Sequence, residues 1–144
     1  MFLGEYQHTL DGKGRIVLPR KFRDELSKGC VITKGQDRCL FIFSHSRFLE
    51  EVEKVKRLPR TNRRARDFSR SFFASASDQI PDGQGRIAIP PPLRAYAALE
   101  KDATVVGVAD RVEIWATAAW ETLSAEADDH YADIAETLSE EEGI

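Results

Sequence analysis

At 144 residues, 42% of them hydrophobic and 31% charged, the chain is long enough to bury about 68–70% of its unfolded surface, as one body or two small halves sharing a core. No run approaches the ~20 apolar residues of a membrane span, and Met1-Phe2-Leu3-Gly4-Glu5 lacks the charged start and apolar stretch of a secretory signal, so a cytoplasmic address is expected. The net charge of -3 conceals a division, because residues 1–72 hold 17 Lys and Arg against 9 Asp and Glu whereas residues 73–144 hold 4 against 15, which points to a basic face for a polyanion and an acidic tail.

In chain order, Glu5 to Leu10 alternates with Tyr6, His8 and Leu10 on one face and predicts a strand entering an Asp-Gly turn. His8 reads as a half-buried strand residue rather than a ligand. Arg15 to Leu18 is a second short strand, after which Pro19 opens a helix carrying Phe22 and Leu26 one turn apart, ended by Gly29. Cys30 to Thr33 and Cys39 to Phe43 form a hairpin around Gly35-Gln36-Asp37-Arg38, and both cysteines read as buried free thiols in a spacing with His45 that matches no zinc pattern. A helix from near Ser46 carries Phe48, Val52 and Val55, and Leu58-Pro59 stops it. Asn62 caps the next, where Phe68 and Phe72 are spaced to pack among Arg60, Arg63, Arg64, Arg66 and Arg70.

The second half follows the same plan. Strands at Phe73 to Ile80 and Arg86 to Ile89 flank another Asp-Gly turn, Pro90-Pro91-Pro92 lead into a helix bearing Leu93 and Ala97, and Val105 to Val108 and Val112 to Trp115 make a hairpin around Asp110. From Trp120 onward, Leu123, Ala127, Tyr131, Ile134 and Leu138 recur at helical spacing among acidic side chains, which predicts one helix docked through that face and frayed at Glu140 to Gly143.

The organising feature is the return of Asp11-Gly12-Lys13-Gly14-Arg15-Ile16-Val17-Leu18-Pro19 as Asp82-Gly83-Gln84-Gly85-Arg86-Ile87-Ala88-Ile89-Pro90. Phe22 and Arg23 match Leu93 and Arg94, Cys39 to Phe43 matches Arg111 to Trp115 with a one-residue shift, and Phe48 finds Trp120. A period of about seventy residues suits two small α+β halves packed with pseudo-two-fold symmetry. The units are residues 1–53, a basic helical connection 54–73, a second unit 74–117 and an acidic C-terminal helix 118–144.

Asp, Gly, x, Gly, Arg between short strands makes a rigid, small-tipped loop. Gly12, Gly14, Gly83 and Gly85 permit positive φ, and Asp11 and Asp82 bond backbone amides and orient the arginines. Arg15 and Arg86 then offer forked donors to phosphate or to the acceptor edge of guanine, with Lys13 adding a point charge. Alternatively, aspartate and arginine simply neutralise each other within or across the copies. The glycines fit neither the phosphate-loop nor the dinucleotide pattern.

On these residues, the paired Asp-x-x-x-Arg motifs, the opening Met1-Phe2-x-Gly4-Glu5 and the run Arg15-Ile16-Val17-Leu18-Pro19, the chain resembles the MraZ transcriptional regulators of bacteria over nearly its whole length. The resemblance implies the swapped-hairpin fold shared with AbrB and MazE, with both hairpins in one polypeptide forming a barrel-like core flanked by helices. It further implies a ring-shaped homo-oligomer that binds double-stranded DNA at tandem promoter repeats upstream of the division and cell-wall gene cluster, its own gene included, in the nucleoid. On that pattern Arg15 and Arg86 contact DNA, joined by Lys13, while Gln84 leaves the second loop with less charge. No cofactor, metal, membrane or small-molecule substrate is expected, and no nucleophile signature suggests an enzyme. The competing expectation is an antitoxin that pairs a DNA-binding hairpin with a toxin-binding acidic tail.

Overall fold

The structure, a computed structural model, describes residues 1–142. The first copy of the repeat runs β1 (Phe2–Thr9), β2 (Arg15–Val17), α1 (Arg20–Leu26), β3 (Cys30–Lys34), β4 (Leu40–Ser44) and α2 (His45–Lys56). After α3 (Arg63–Ser75) the second copy repeats the order as β5 (Ser77–Gln79), β6 (Arg86–Ala88), α4 (Pro91–Tyr96), β7 (Asp102–Ala109), β8 (Arg111–Ala116) and α5 (Thr117–Asp129), and α6 (Tyr131–Glu142) follows. Over the described residues the fold is α+β, with antiparallel strands throughout and six α-helices.

The strands form a sheet ordered β1-β7-β8-β4-β3-β5 and a separate β2-β6 ribbon. The pairing crosses between the copies at both edges. β1 of the first copy lies along β7 of the second, from Phe2 opposite Ala109 to Thr9 opposite Asp102. In return β5 lies along β3, with Cys30 opposite Gln79 and Ile32 opposite Ser77. Two further pairings are centred on equivalent residues, Ile16 opposite Ile87 in the ribbon and Phe41 opposite Glu113 between β4 and β8. An approximate two-fold axis therefore passes through both pairs.

The same symmetry runs through the core. Ile16, Leu18, Phe22 and Leu26 are buried in one cluster with their counterparts Ile87, Ile89, Leu93 and Ala97. Phe22 sits edge-on to the rings of Phe2 and Tyr6, at 5.2 and 5.4 Å, which fastens α1 beneath β1. Neither copy can bury these faces alone, because each supplies half of the layer that covers the other. Cys30 and Cys39 are buried free thiols, and burial pushes them up to about 11 and about 12, so both stay protonated near neutral pH. His8 is half-buried on β1. Burial, then the charge of Arg23, lowers its pKa.

Three expectations need correction. β1 starts at Phe2, not Glu5, because Phe2 carries the inward alternation of Tyr6 and His8 two repeats of the pleat earlier. The strand expected over Phe73 to Ile80 begins as helix, since α3 runs through Phe73 to Ser75, and only Ser77–Gln79 pairs as β5. Phe72 stacks on Phe48 and Phe68 at 5.8 and 5.9 Å, while the Thr33 hydroxyl donates to the Phe72 carbonyl, so α3 is held to Ser75 by contacts on its apolar stripe. The tail is two helices broken at His130, not one docked helix. Trp120 and Leu123 pack against Trp115 and Val106, but Tyr131, Ile134 and Leu138 remain 74%, 48% and 43% exposed. Glu140 to Glu142 are helical, and Gly143 lies outside the described residues. Among the described residues no helix is long and apolar enough to cross a membrane.

Candidate nucleic-acid interface

Each Asp-Gly-x-Gly-Arg segment closes as a tight turn. The Asp11 amide donates to the Arg15 carbonyl at 2.9 Å and the Gly14 amide to the Asp11 carbonyl at 3.0 Å, and the second loop repeats both bonds at 3.0 and 2.9 Å with Asp82, Arg86 and Gly85. The aspartate side chain occupies the inside of the turn. Oδ1 of Asp11 accepts the amides of Lys13 and Arg15, both at 2.9 Å, and Oδ2 accepts Nε of Arg15 at 2.7 Å. Asp82 makes the same three bonds with Gln84 and Arg86 at the same lengths.

These bonds set the arginines' direction. With Nε committed to the aspartate, the guanidinium plane is fixed, and among the described residues neither arginine has a hydrogen bond from Nη1 or Nη2. Their side chains are 31% and 27% exposed. Local neutralisation and outward presentation therefore coexist in one geometry, since one nitrogen serves the turn and two remain for a ligand.

The ribbon brings the two arginines together. Val17 stands opposite Arg86 and Arg15 opposite Ala88, and alternate residues of a strand share a face. Arg15 and Arg86 thus lie on the outer face while Ile16 and Ile87 are buried on the inner one. Two residues of register separate them, roughly 7 Å along the strand. Lys13 is exposed on the first tip and Gln84 on the second.

The glycines divide into two kinds. Gly14 and Gly85 have φ of +73° and +75° and require the left-handed region, whereas Gly12 and Gly83 do not, and a Cβ on either would meet nothing within 4 Å. The expectation of positive φ at all four is corrected to these two. The tips are also tied across the copies: the Leu18 amide donates to the Gly85 carbonyl at 2.8 Å and the Ile89 amide to the Gly14 carbonyl at 2.9 Å.

A family profile described as "MraZ protein, putative antitoxin-like" matches the chain twice, over residues 1–71 and 72–141. The two matches coincide with the two copies described above. The chain belongs to the MraZ family. Proteins named transcriptional regulator MraZ are similar to it along almost their full length: that of Salinispora tropica is 53% identical over 136 residues, 94% of this chain and 96% of the relative. That of Parafrankia sp. (strain EAN1pec) is 51% identical over 138 residues, and that of Micrococcus luteus 46% over 138, each spanning 96% of both chains.

This MraZ-family chain brings one further pair of cations to the tips, to which the sequence reading assigned no role. A Cβ on Gly14 would lie 2.5 Å from Cζ of Arg94, and one on Gly85 would lie 2.7 Å from Cζ of Arg23. Each tip glycine is therefore the floor on which an arginine of the other copy rests. Arg23 is steadied by an Nε bond of 3.0 Å to the Leu18 carbonyl. The available signal was an arginine kept at the same place in both copies beside a core residue that changes from Phe22 to Leu93.

The turn has a pH signature. The backbone bond from Arg15, opposed by desolvation and reinforced by the Arg15 side chain and the Lys13 amide, holds Asp11 down at about 2 against an ordinary 3.8. Asp82 is lowered as well, first by the backbone bond from Arg86. A depressed carboxyl contributes stability that is present above the ordinary value and lost as pH falls through the folded one. An NMR titration of the carboxyl carbons is expected to give an Asp11 midpoint near 2. A midpoint at 3.8 would show that the turn is not closed in solution.

Proposed function

We propose that the chain is a sequence-specific DNA-binding transcriptional regulator that reads tandem promoter repeats through the β2-β6 ribbon and its two tips. The observation that carries this reading is the common outward face of Arg15 and Arg86, each with its fork free and its plane set by an aspartate. The major groove, about 12 Å wide, admits a two-stranded ribbon, and an arginine fork matches the O6 and N7 acceptors of guanine. Lys13, Arg23 and Arg94 surround that face with charge suited to phosphate. The relatives' shared name supports regulation of transcription.

The strand exchange of β1 onto β7 and β5 onto β3 supports placing the fold with the swapped-hairpin proteins AbrB and MazE, the two halves closing a barrel-like body. A three-residue ribbon is a small reader, so occupancy must come from several subunits engaging neighbouring repeats. A homo-oligomeric ring supplies that avidity. The target in this reading is the repeat array upstream of the division and cell-wall genes, including the regulator's own, and the place of action is the nucleoid within the cytoplasm.

The exposed face of α6 is what favours the antitoxin reading, in which the tail holds a toxin. Against it, α6 is already helical rather than a chain that folds on a partner.

A gel-shift titration against promoter repeats at two salt concentrations tests the reading. Repeats about 10–10.5 bp apart present the same groove to successive subunits. Insertion of about half a helical turn, ~5 bp, is expected to cost most of the affinity. Equal affinity for both spacings would overturn the multi-subunit contact.

A further inference from the structure

The two copies end alike and are then finished differently. In the first, α3 folds back on α2, and Phe72 stacks on Phe48 at 5.8 Å. In the second, Trp120 of α5 is the counterpart of Phe48 and packs against Trp115 at 5.7 Å, but α6 does not return to cover α5. The apolar stripe of α6, Tyr131, Ile134 and Leu138, faces solvent. Around it stand Asp133, Glu136, Glu140 and Glu141, and the helix has no Lys or Arg.

A complementary surface lies elsewhere on the chain. The end of α2, the following loop and α3 enclose a cleft of about 540 Å³ with an apolar floor that includes Val55, Leu58 and Pro59. Lys56, Arg60 and Arg70 are on its rim, and no acidic residue lines it. α5 packs on β7 and β8 whereas α2 packs on β4 and β3, so the acidic helix and the basic cleft leave from opposite halves of the sheet.

We infer that α6 of one subunit docks in the α2–α3 cleft of the next copy, its apolar stripe on the floor and its carboxylates against the rim. The stripe runs over the eight residues from Tyr131 to Leu138, about 10 Å of helix, and the two surfaces match in both polarity and charge. Such a contact is heterologous, because it joins different patches of identical chains, and heterologous contacts close into rings when the rotation permits. The inference rests on the proposed ring and names the surfaces that build it. It also gives a role to the charge division between the halves of the chain, which becomes a plus end and a minus end.

Sedimentation velocity of the full chain tests it. The assembly is expected to loosen as salt rises from about 0.15 M to ~1 M, where the screening length shrinks from about 8 to 3 Å. Arg60→Glu with Arg70→Glu is expected to reduce the assembly to monomers, as is Asp133→Lys with Glu136→Lys, and combining all four should restore at least tenfold tighter association than either pair. Ile134→Ser, at an exposed position, should weaken assembly without changing charge. Wild-type assembly in the arginine pair, with repeat-spacing dependence on DNA intact, would overturn this interface and leave the ring standing. Weaker DNA binding in that pair with unchanged assembly would assign the cleft to a polyanion and overturn it too. A wild-type chain that is monomeric throughout would remove both.

Discussion

Arg15→Ala is expected to abolish sequence-specific DNA binding while leaving the fold intact. The substitution removes the two Nη groups that have no hydrogen bond among the described residues, and it leaves both backbone amides that Asp11 holds at 2.9 Å. A bidentate arginine–guanine contact is worth about 1–3 kcal/mol of base discrimination, and several tips engaged on one repeat array multiply the loss. Circular dichroism and thermal unfolding should stay close to the parent's, since Arg15 is a surface residue and its pair with Asp11 is exposed. Arg15→Lys separates the fork from the charge: binding to any duplex should persist with a similar salt dependence, and the preference for promoter repeats should fall. Arg86→Ala is expected to weaken binding less, because Gln84 already leaves the second tip without the charge that Lys13 gives the first. Unaltered promoter affinity in Arg15→Ala would refute the assignment, and a worse defect in Arg86→Ala would reverse the ranking of the tips.

The repeat makes much of this architecture legible in the sequence. Placing Arg15 opposite Arg86 in the alignment of copies implies a shared axis, and the structure centres two strand pairs on matched residues, Ile16 with Ile87 and Phe41 with Glu113. Local chemistry was legible too, since a capping Asn62 and the Asp-Gly turns act over a few residues, and Asn62 does accept the Ala65 amide at 3.1 Å. What escaped depends on contacts distant in sequence. Phe73 has the β-propensity of a strand residue, yet α3 carries through it because Phe72 is held by Phe48 and Thr33 from the first copy. The tail has one unbroken periodic stripe, but periodicity alone does not say whether a surface receives it: Trp120 and Leu123 pack within the subunit while Tyr131, Ile134 and Leu138 stay exposed. Arg23 and Arg94 match across the copies in the sequence, but their place at the tips does not show there, because the glycines they rest on belong to the opposite copy.

Gly14→Ala should weaken DNA binding although it removes no donor and no charge. At φ +73° a Cβ costs roughly 1–2 kcal/mol in the left-handed region, which is expected to lower the midpoint of thermal unfolding by about 2–4 °C per kcal/mol in a domain of this size. The new methyl would also stand 2.5 Å from Cζ of Arg94. A guanidinium is the mobile end of a long side chain, so it swings aside at little steric cost, and the stability loss comes from the backbone rather than from the clash. The functional loss follows from the same backbone change together with the displaced guanidinium. Turning Gly14 out of its region pulls the Arg15 amide from Asp11, frees the guanidinium plane that the Nε bond of 2.7 Å defines, and moves Arg94 off the tip. Gly85→Ala should act likewise on Arg86 and Arg23, at φ +75°. Gly12→Ala is the matched control, because that position needs no positive φ and has open space around it, and its gel-shift affinity and melting temperature should equal the parent's. If Gly14→Ala bound promoter repeats as tightly as Gly12→Ala, the cations alone would suffice and the fixed direction of the arginine forks would have no part in recognition.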